Sequence, residues 1–447
     1  MNARFTGELR AGAFRNVKLL SRYVTSIALK SLADVIGKAA TLLITIAAAR
    51  RLNADPFGIL AYAMATGWVV GVATDAGLSM HLARETARDP ARSRQLFVEI
   101  IGLRAGLAFF AATLLAIASP YLVPQHWRMQ FVVIVLAQLA AAVVESIAHY
   151  YRGLQRTGIE AAIHSSYRIA MLGAALIVLW WWRRLDYLGI AMLTPALIAV
   201  FVSLAIALRL VPEQGNEPPV AGWGYGVFVR DVLPLGAGIL ISAVYFRIDV
   251  YFIQQWHGFQ PIGGYNAAFR LVEALRLLPA AVLAVTFPVL VRAADTEMLK
   301  RIGGGLTLAG AALAAVCAAG GSVIVPLLYG ETYAYAAPAF SILALALPLF
   351  FLNYALTHQV IGWDGQRAYL LIAVFALIGN IAANIALVPS LGINGAAIAT
   401  VLTEVIVTAG CLIFLSVRSA PDPQPAARNP QPAARPQPAA RSPQPVP

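Results

Sequence analysis

Seven cationic residues sit within otherwise apolar stretches of this chain: Lys30, Lys38, Arg104, Arg168, Arg247, Arg270 and Arg276. Acids accompany them at Asp34, Asp75, Glu99, Glu145, Asp249, Glu273 and Glu404. An isolated charge near the middle of a bilayer costs roughly 2.5 to 3.5 kcal/mol on insertion scales, so such groups face a helix-bundle interior or a wet cavity. Their spread along the chain predicts a shared polar lumen. Local spacing offers a competing, structural reading. Lys30, Asp34 and Lys38 recur every fourth residue and can pair along one helix face, and Glu273 lies three residues from both Arg270 and Arg276. Arg247 and Asp249, in AVYFRIDVYFI, are two apart and fall on nearly opposite sides of a helix, so each needs a partner on another element.

The elements that must carry these charges are membrane helices. The chain has 447 residues, 60% hydrophobic and only 12% charged, where a soluble domain carries roughly 25% charged residues. Apolar stretches recur at the length of about 20 residues that crosses a hydrocarbon core. Twelve spans are predicted at 24–48, 57–79, 97–119, 129–151, 161–182, 188–210, 231–254, 262–290, 303–326, 334–361, 368–388 and 393–417. The expected fold is all-α and integral to the membrane. Two six-helix bundles, related by a pseudo-two-fold axis along the membrane normal, would enclose a central polar cavity. The expected domains are a basic segment 1–23, a first bundle 24–210, a linker 211–230, a second bundle 231–418 and a tail 419–447.

Lysine and arginine bias sets the expected orientation. Of 33 such residues, 21 fall in segments on the side of the N-terminus and five on the other side. Both termini are therefore expected in the cytoplasm. The same bias accounts for most of the net charge of +12, which suits anionic headgroups and not nucleic acid. The halves share faint similarity. NADPFGILAYA (53–63) aligns with GFQPIGGYNAA (258–268), and YLGIAML (187–193) with SLGINGA (390–396), at offsets near 205 residues. Prolines at 195, 234, 279, 288 and 348 are expected to bend their helices. The tail repeats QPAAR three times and cannot bury apolar surface.

Several classes find no support in the residues. No phosphate loop, G-x-S-x-G, H-E-x-x-H or D-x-D motif occurs, and no zinc-type spacing. Outward loops of a few residues leave no room for an extracytoplasmic catalytic domain. Cys317 and Cys411 lie in apolar spans and are expected to be free thiols. No enzyme activity, cofactor or metal is expected.

The run YFRIDVYFIQQWHGFQPIGGYNAAFRLVEALRLLPAAVLAVTFPVL (245–290) resembles the seventh and eighth spans of polysaccharide flippases. These are the Wzx-type members of the multidrug/oligosaccharidyl-lipid/polysaccharide exporter superfamily. AAARRLNADPFG (47–58) is similar to the family's first outward turn, and DAGL (75–78) to its second span. The resemblance covers about residues 20 to 418; the Pro-rich tail lies outside it. It implies transbilayer movement of a lipid-linked oligosaccharide on an undecaprenyl pyrophosphate carrier, in the bacterial inner membrane, by alternating access, for exopolysaccharide, capsule or O-antigen synthesis. Arginine suits a pyrophosphate because its planar fork forms bidentate, charge-assisted hydrogen bonds. Arg104, Arg168, Arg247, Arg270, Arg276 and Lys38 are the expected substrate contacts. Asp34, Asp249, Glu273 and Glu404 are the expected sites for coupling to a proton or sodium gradient. Membrane lipids and a polysaccharide polymerase or glycosyltransferases are the expected partners. Two other readings stay open: a cation-coupled multidrug antiporter of the same superfamily, and a glycan polymerase or ligase. Arginine-rich lining disfavours the first, and short outward loops the second.

Overall fold

A computed structural model describes residues 28–210, 226, 228–283 and 296–417. The basic N-terminal segment, nearly all of the expected linker, the stretch 284–295 and the QPAAR tail lie outside the described residues. The described chain is helical throughout. Among the described residues, nine helices are long and apolar enough to cross a membrane, or ten if one bent pair counts as a single span. Large apolar side chains stand on the outside of these helices, among them Phe109 (76% exposed), Tyr121 (92%) and Leu308 (73%). Such a surface is stable against hydrocarbon and not against water. The protein is a multi-pass membrane protein.

The first half comprises α1 (Ala28–Arg51), α2 (Ala54–Ala73), α3 (Leu78–Arg88), α4 (Ser93–Leu122), α5 (Arg128–Gly153), α6 (Thr157–Trp181) and α7 (Leu185–Leu210). The second comprises α8 (Leu233–Tyr245), α9 (Asp249–His257), α10 (Gln260–Leu275), a short α11 at 277–283, α12 (Thr296–Tyr329), α13 (Ala337–Ala344), α14 (Leu347–Gly362) and α15 (Gln366–Val417). The 52-residue α15 is two arms, because Gly392 has φ 54° and ψ −130°. At that kink the arms close up: a Cβ on Gly395 would meet the Leu387 carbonyl at 2.5 Å.

Helix α2 is where the halves meet. Its core, FGILAYAMATG (57–67), is buried throughout and rich in Gly and Ala, which lets neighbouring backbones approach closely. It packs on α5 within the first half and on α10 and α8 of the second. A Cβ on Gly58 would stand 2.0 Å from the Phe259 carbonyl, and one on Gly263 would stand 2.7 Å from the Phe57 ring. The two segments that align at an offset near 205 residues are thus in direct contact. Tyr62 fixes the crossing, with edge-on contacts to Tyr251 and Phe259 at ring-centre distances of 5.3 and 5.4 Å.

Four predicted spans prove to be broken. The span expected at 57–79 stops at Ala73 and restarts at Leu78, since Ala76 and Gly77 take left-handed φ values of 45° and 88°. Tight packing accompanies the break: a Cβ on Gly236 of α8 would lie 2.4 Å from the Ala76 carbonyl. The span expected at 231–254 tightens at 246–248, where Arg247 and Val250 amides bond three residues back to Val244 and Arg247 carbonyls. The span from 262 breaks at Arg276, and the span from 334 bends by 45° between α13 and α14. Of the predicted prolines, Pro195 lies inside α7 and Pro234 and Pro348 in the first turns of α8 and α14, where the missing amide costs nothing.

Candidate functional site

A cavity of about 350 Å³ is lined by residues from both halves. Its charged side chains are Asp34, Lys38, Arg168, Arg247, Arg270 and Glu273. Helix α1 presents Asp34 and Lys38 one turn apart, with Gly37 between them. A Cβ on Gly37 would strike His164 Nε2 at 2.7 Å, so the glycine lets α6 lie close. One turn further along α6, Arg168 Nη1 then reaches Thr41 Oγ1 at 3.5 Å, and its guanidinium lies 5.0 Å from the Tyr167 ring centre.

The opposite wall is a three-membered ion cluster. Glu273 accepts from Arg270 Nη1 at 2.7 Å and from Arg247 Nη2 at 3.1 Å. The Arg270–Glu273 contact is the expected three-residue pair within α10. Arg247 joins from the tightened turn between α8 and α9, with its guanidinium 4.3 Å above the Phe269 ring. One carboxylate thus holds two guanidinium groups, which leaves the cluster a net cation. Asp34 is also engaged, by Lys30 Nζ at 3.0 Å. Four cations line the cavity and both lining carboxylates are already paired. Moreover, the Nε–H groups of Arg168 and Arg270 are buried without a hydrogen-bond acceptor among the described residues. With four cations against two carboxylates that are already paired, the lining favours an anion in the cavity.

Six of the ten expected site residues therefore come together: Lys38, Arg168, Arg247, Arg270, Asp34 and Glu273. Four are placed elsewhere. Arg104, 2% exposed, bonds Ser146 Oγ at 3.1 Å, the Gly71 carbonyl at 2.7 Å and the Thr74 hydroxyl, with Asp75 at 3.6 Å. The α2–α3 break explains this knot. The Asp75 amide bonds to Val72 instead of Gly71, and the freed Gly71 carbonyl accepts from Arg104 Nη2 and, at 3.1 Å, from the Thr74 hydroxyl. Arg276 lies between the Phe246 and Phe350 rings, 4.5 and 4.4 Å from their centres. Asp249 is 1% exposed and accepts from the Tyr265 hydroxyl and, at 2.8 Å, from the Val250 amide. Glu404 accepts from Asn353 Nδ2 at 2.7 Å. None of these four lines the cavity.

The puzzle of Arg247 and Asp249 resolves accordingly. Both find partners on α10, but in opposite directions: Arg247 borders the cavity, and Asp249 is sealed against Tyr265. Sequence reasoning missed Trp68, Gln138, His164 and Tyr354 as lining residues. Trp68 carried a signal. It is the one tryptophan of the Gly/Ala-rich α2, it is 41% exposed, and it lines the cavity 5.9 Å from the Arg247 guanidinium. Gln138 and Tyr354 carried none, because single polar residues recur on many of the helices.

Known proteins can now be set beside this geometry. The chain is 31% identical over 170 residues to the "Probable flippase AglR" of Haloferax volcanii, a match covering 36% of this chain and 34% of that protein. The alignment thus spans about a third of that relative's length. Among solved structures, "Lipid II flippase MurJ, inward closed conformation" is similar with a TM-score of 0.64 and 12% identity over 86% of this chain and 87% of that one. An inward-facing multidrug resistance MATE family transporter of the MOP superfamily is similar with a TM-score of 0.58 and 17% identity over 87% and 93%. These two likenesses establish a shared fold. The sequence profile of the family described as "Polysaccharide biosynthesis protein" matches residues 24–294, more than half of the chain. The chain belongs to the polysaccharide biosynthesis protein family.

Proposed function

We propose that this protein is a flippase that moves an anionic, lipid-linked oligosaccharide across the bacterial inner membrane. The observation that carries the reading is the cavity itself, with its four cations and its two paired carboxylates. That chemistry suits a pyrophosphate-linked carrier such as the undecaprenyl type, because guanidinium forks bind phosphate oxygens in pairs. Membership of the polysaccharide biosynthesis family supports a glycan cargo. The flippase relative and the fold shared with flippases and MATE transporters support transbilayer movement.

The proposed architecture is twelve spans in two six-helix bundles, 24–210 and 231–418, joined by the linker 211–230, with both termini cytoplasmic. Counting the arms of α15 separately, the bent α13–α14 pair as one span and α10–α11 as one span supports that number. Transport would proceed by alternating access, with α2 against α10 and α2–α3 against α8 as the contacts that must part in turn. Coupling to a proton or sodium gradient remains part of the proposal, with Asp34 and Glu273 the carboxylates in contact with the cavity. The polymerase and glycosyltransferases that make and consume the glycan are its proposed partners.

The test is reconstitution of the purified protein into liposomes with a short-chain polyprenyl pyrophosphate-linked saccharide. Translocation is read by access of an external lectin to the sugar. The expected result is protein-dependent movement that falls at least tenfold in Arg168→Ala and Arg270→Ala. Efflux of a lipophilic cationic dye without movement of the glycan would reject the flippase reading in favour of antiport.

A further inference from the structure

A second cavity, about 660 Å³ in volume, lies away from the first, at the end of the molecule where α2 gives way to α3. Arg84 of α3 enters it from the first half. Arg230, just before α8, and Arg367, at the start of α15, enter it from the second. All three are exposed. The floor is apolar, formed by Pro234, Ala368 and Phe414. The seam beneath is tight, as the contact of Gly236 with the Ala76 carbonyl shows. Three arginines from three separate elements thus converge over an apolar floor.

Arg84 and Arg367 keep their charge available to a ligand. Glu85, the acid next to Arg84 in sequence, is taken by Arg88 at 3.0 Å, and Arg84 and Arg367 form no ion pair among the described residues. Asp364, at the left-handed turn (φ 55°) that precedes α15, is the single acid lining the pocket among the described residues. The site therefore presents an excess of guanidinium donors at the depth where helices end, beside apolar surface.

We infer that this seam pocket binds the phosphate-bearing headgroup of an anionic membrane lipid. Basic pockets between membrane helices at their cytoplasmic ends recognise such headgroups, and the orientation proposed from lysine and arginine bias places this end there. The guanidinium groups take the phosphate oxygens, while Phe414, Pro234 and Ala368 receive the glycerol and upper acyl carbons. A soluble phosphate shares the first chemistry and not the second. Because Arg84 belongs to one half and Arg230 and Arg367 to the other, a bound headgroup also ties the halves together at this end.

The experiment measures thermal stabilisation of the purified full chain in detergent, titrated with phosphatidylglycerol, phosphatidylcholine or sodium phosphate. Phosphatidylglycerol should stabilise the wild type, and the other two should not. In the Arg84→Ala/Arg367→Ala double variant the half-saturating lipid concentration should rise roughly 25-fold, as expected for two arginines near a lipid surface. Arg84→Lys/Arg367→Lys should keep most of the effect. Arg88→Ala/Arg156→Ala, which removes two arginines at the same end but outside the pocket, should keep all of it. An unresponsive wild type, a double variant that responds like wild type, or equal loss in the Arg88/Arg156 control would overturn the site. Equal stabilisation by sodium phosphate would overturn the lipid as its ligand.

Discussion

The Arg247–Glu273–Arg270 cluster makes a prediction in which stability and transport move in opposite orders. Glu273 holds two guanidinium groups at 3.1 and 2.7 Å. Glu273→Gln keeps the shape but leaves two cations facing each other with no counter-charge. Removing one partner of a buried pair costs about 3 to 5 kcal/mol, and partial exposure of the Glu273 side chain, 24%, points to the lower end. Arg247→Ala instead leaves a matched pair, Arg270 with Glu273. Its losses are one charge-assisted bond, about 1.5 to 3 kcal/mol, and part of a cation–π contact with Phe269. Solvation of the space left in the cavity returns some of that. Glu273→Gln should therefore melt lower than Arg247→Ala, by about 1 kcal/mol, and both lower than wild type. Per folded molecule, however, Arg247→Ala removes a phosphate donor from the cavity and should reduce glycan translocation tenfold or more. Glu273→Gln keeps both donors and should still capture the substrate. Detergent melting curves and lectin-access transport in proteoliposomes, normalised to folded protein, read the two quantities. An Arg247→Ala protein that melts below Glu273→Gln, or that transports normally, would show that the cluster is a dry structural pair.

Three further outcomes follow from the same geometry. Gly58→Val places side-chain carbons where the Phe259 carbonyl stands, 2.0 Å from a Cβ. It should hold α2 and α10 apart, read as increased labelling of a cysteine at Gln138 from the side of residue 53 by an impermeant thiol reagent. Arg104→Ala removes the guanidinium that joins Asp75, Ser146 and the Gly71 carbonyl and should cost about 1.5 to 3 kcal/mol, because Asp75 keeps Ser79 and Gly77 and the Gly71 carbonyl keeps Thr74, so protein abundance should fall with little change in transport per folded molecule. With Cys317 and Cys411 replaced, single cysteines at 168, 247 and 270 should react with an impermeant thiol reagent from at least one side, whereas a cysteine at 249 should not. Labelling at 249 together with silence at the other three would invert the assignment of cavity and core.

Much of this molecule was legible because a membrane imposes one-dimensional rules. Apolar runs of the right length had to become helices, and the predicted span positions agree with the described helices to within a few residues over most of the chain. The repeat offset near 205 residues pointed to the two segments that contact one another at Gly58 and Phe259. Helix breaks were not legible. The turn at Ala76–Gly77 depends on how closely α8 approaches, and that distance is set by Gly236, 159 positions further along. Nor was the fate of each charge. Arg104 and Arg168 look alike in sequence, each the single arginine of its predicted span. One sits over the freed carbonyl of a broken helix, while the other borders a cavity.

By itself, then, the sequence determined that the chain spans the membrane as helices, that its buried charges needed polar partners, and that Arg247 and Asp249 had to look to other helices for them. Desolvation in hydrocarbon is costly enough that composition and spacing leave little choice on those points. Only the tertiary structure decided which charges share a cavity and which close upon each other. That depends on the packing of α1 on α6 and of α2 on α10, through glycines at 37, 58 and 263 where a single methyl group would collide. The sequence records that those positions are glycine; what stands opposite each of them is a property of the folded chain.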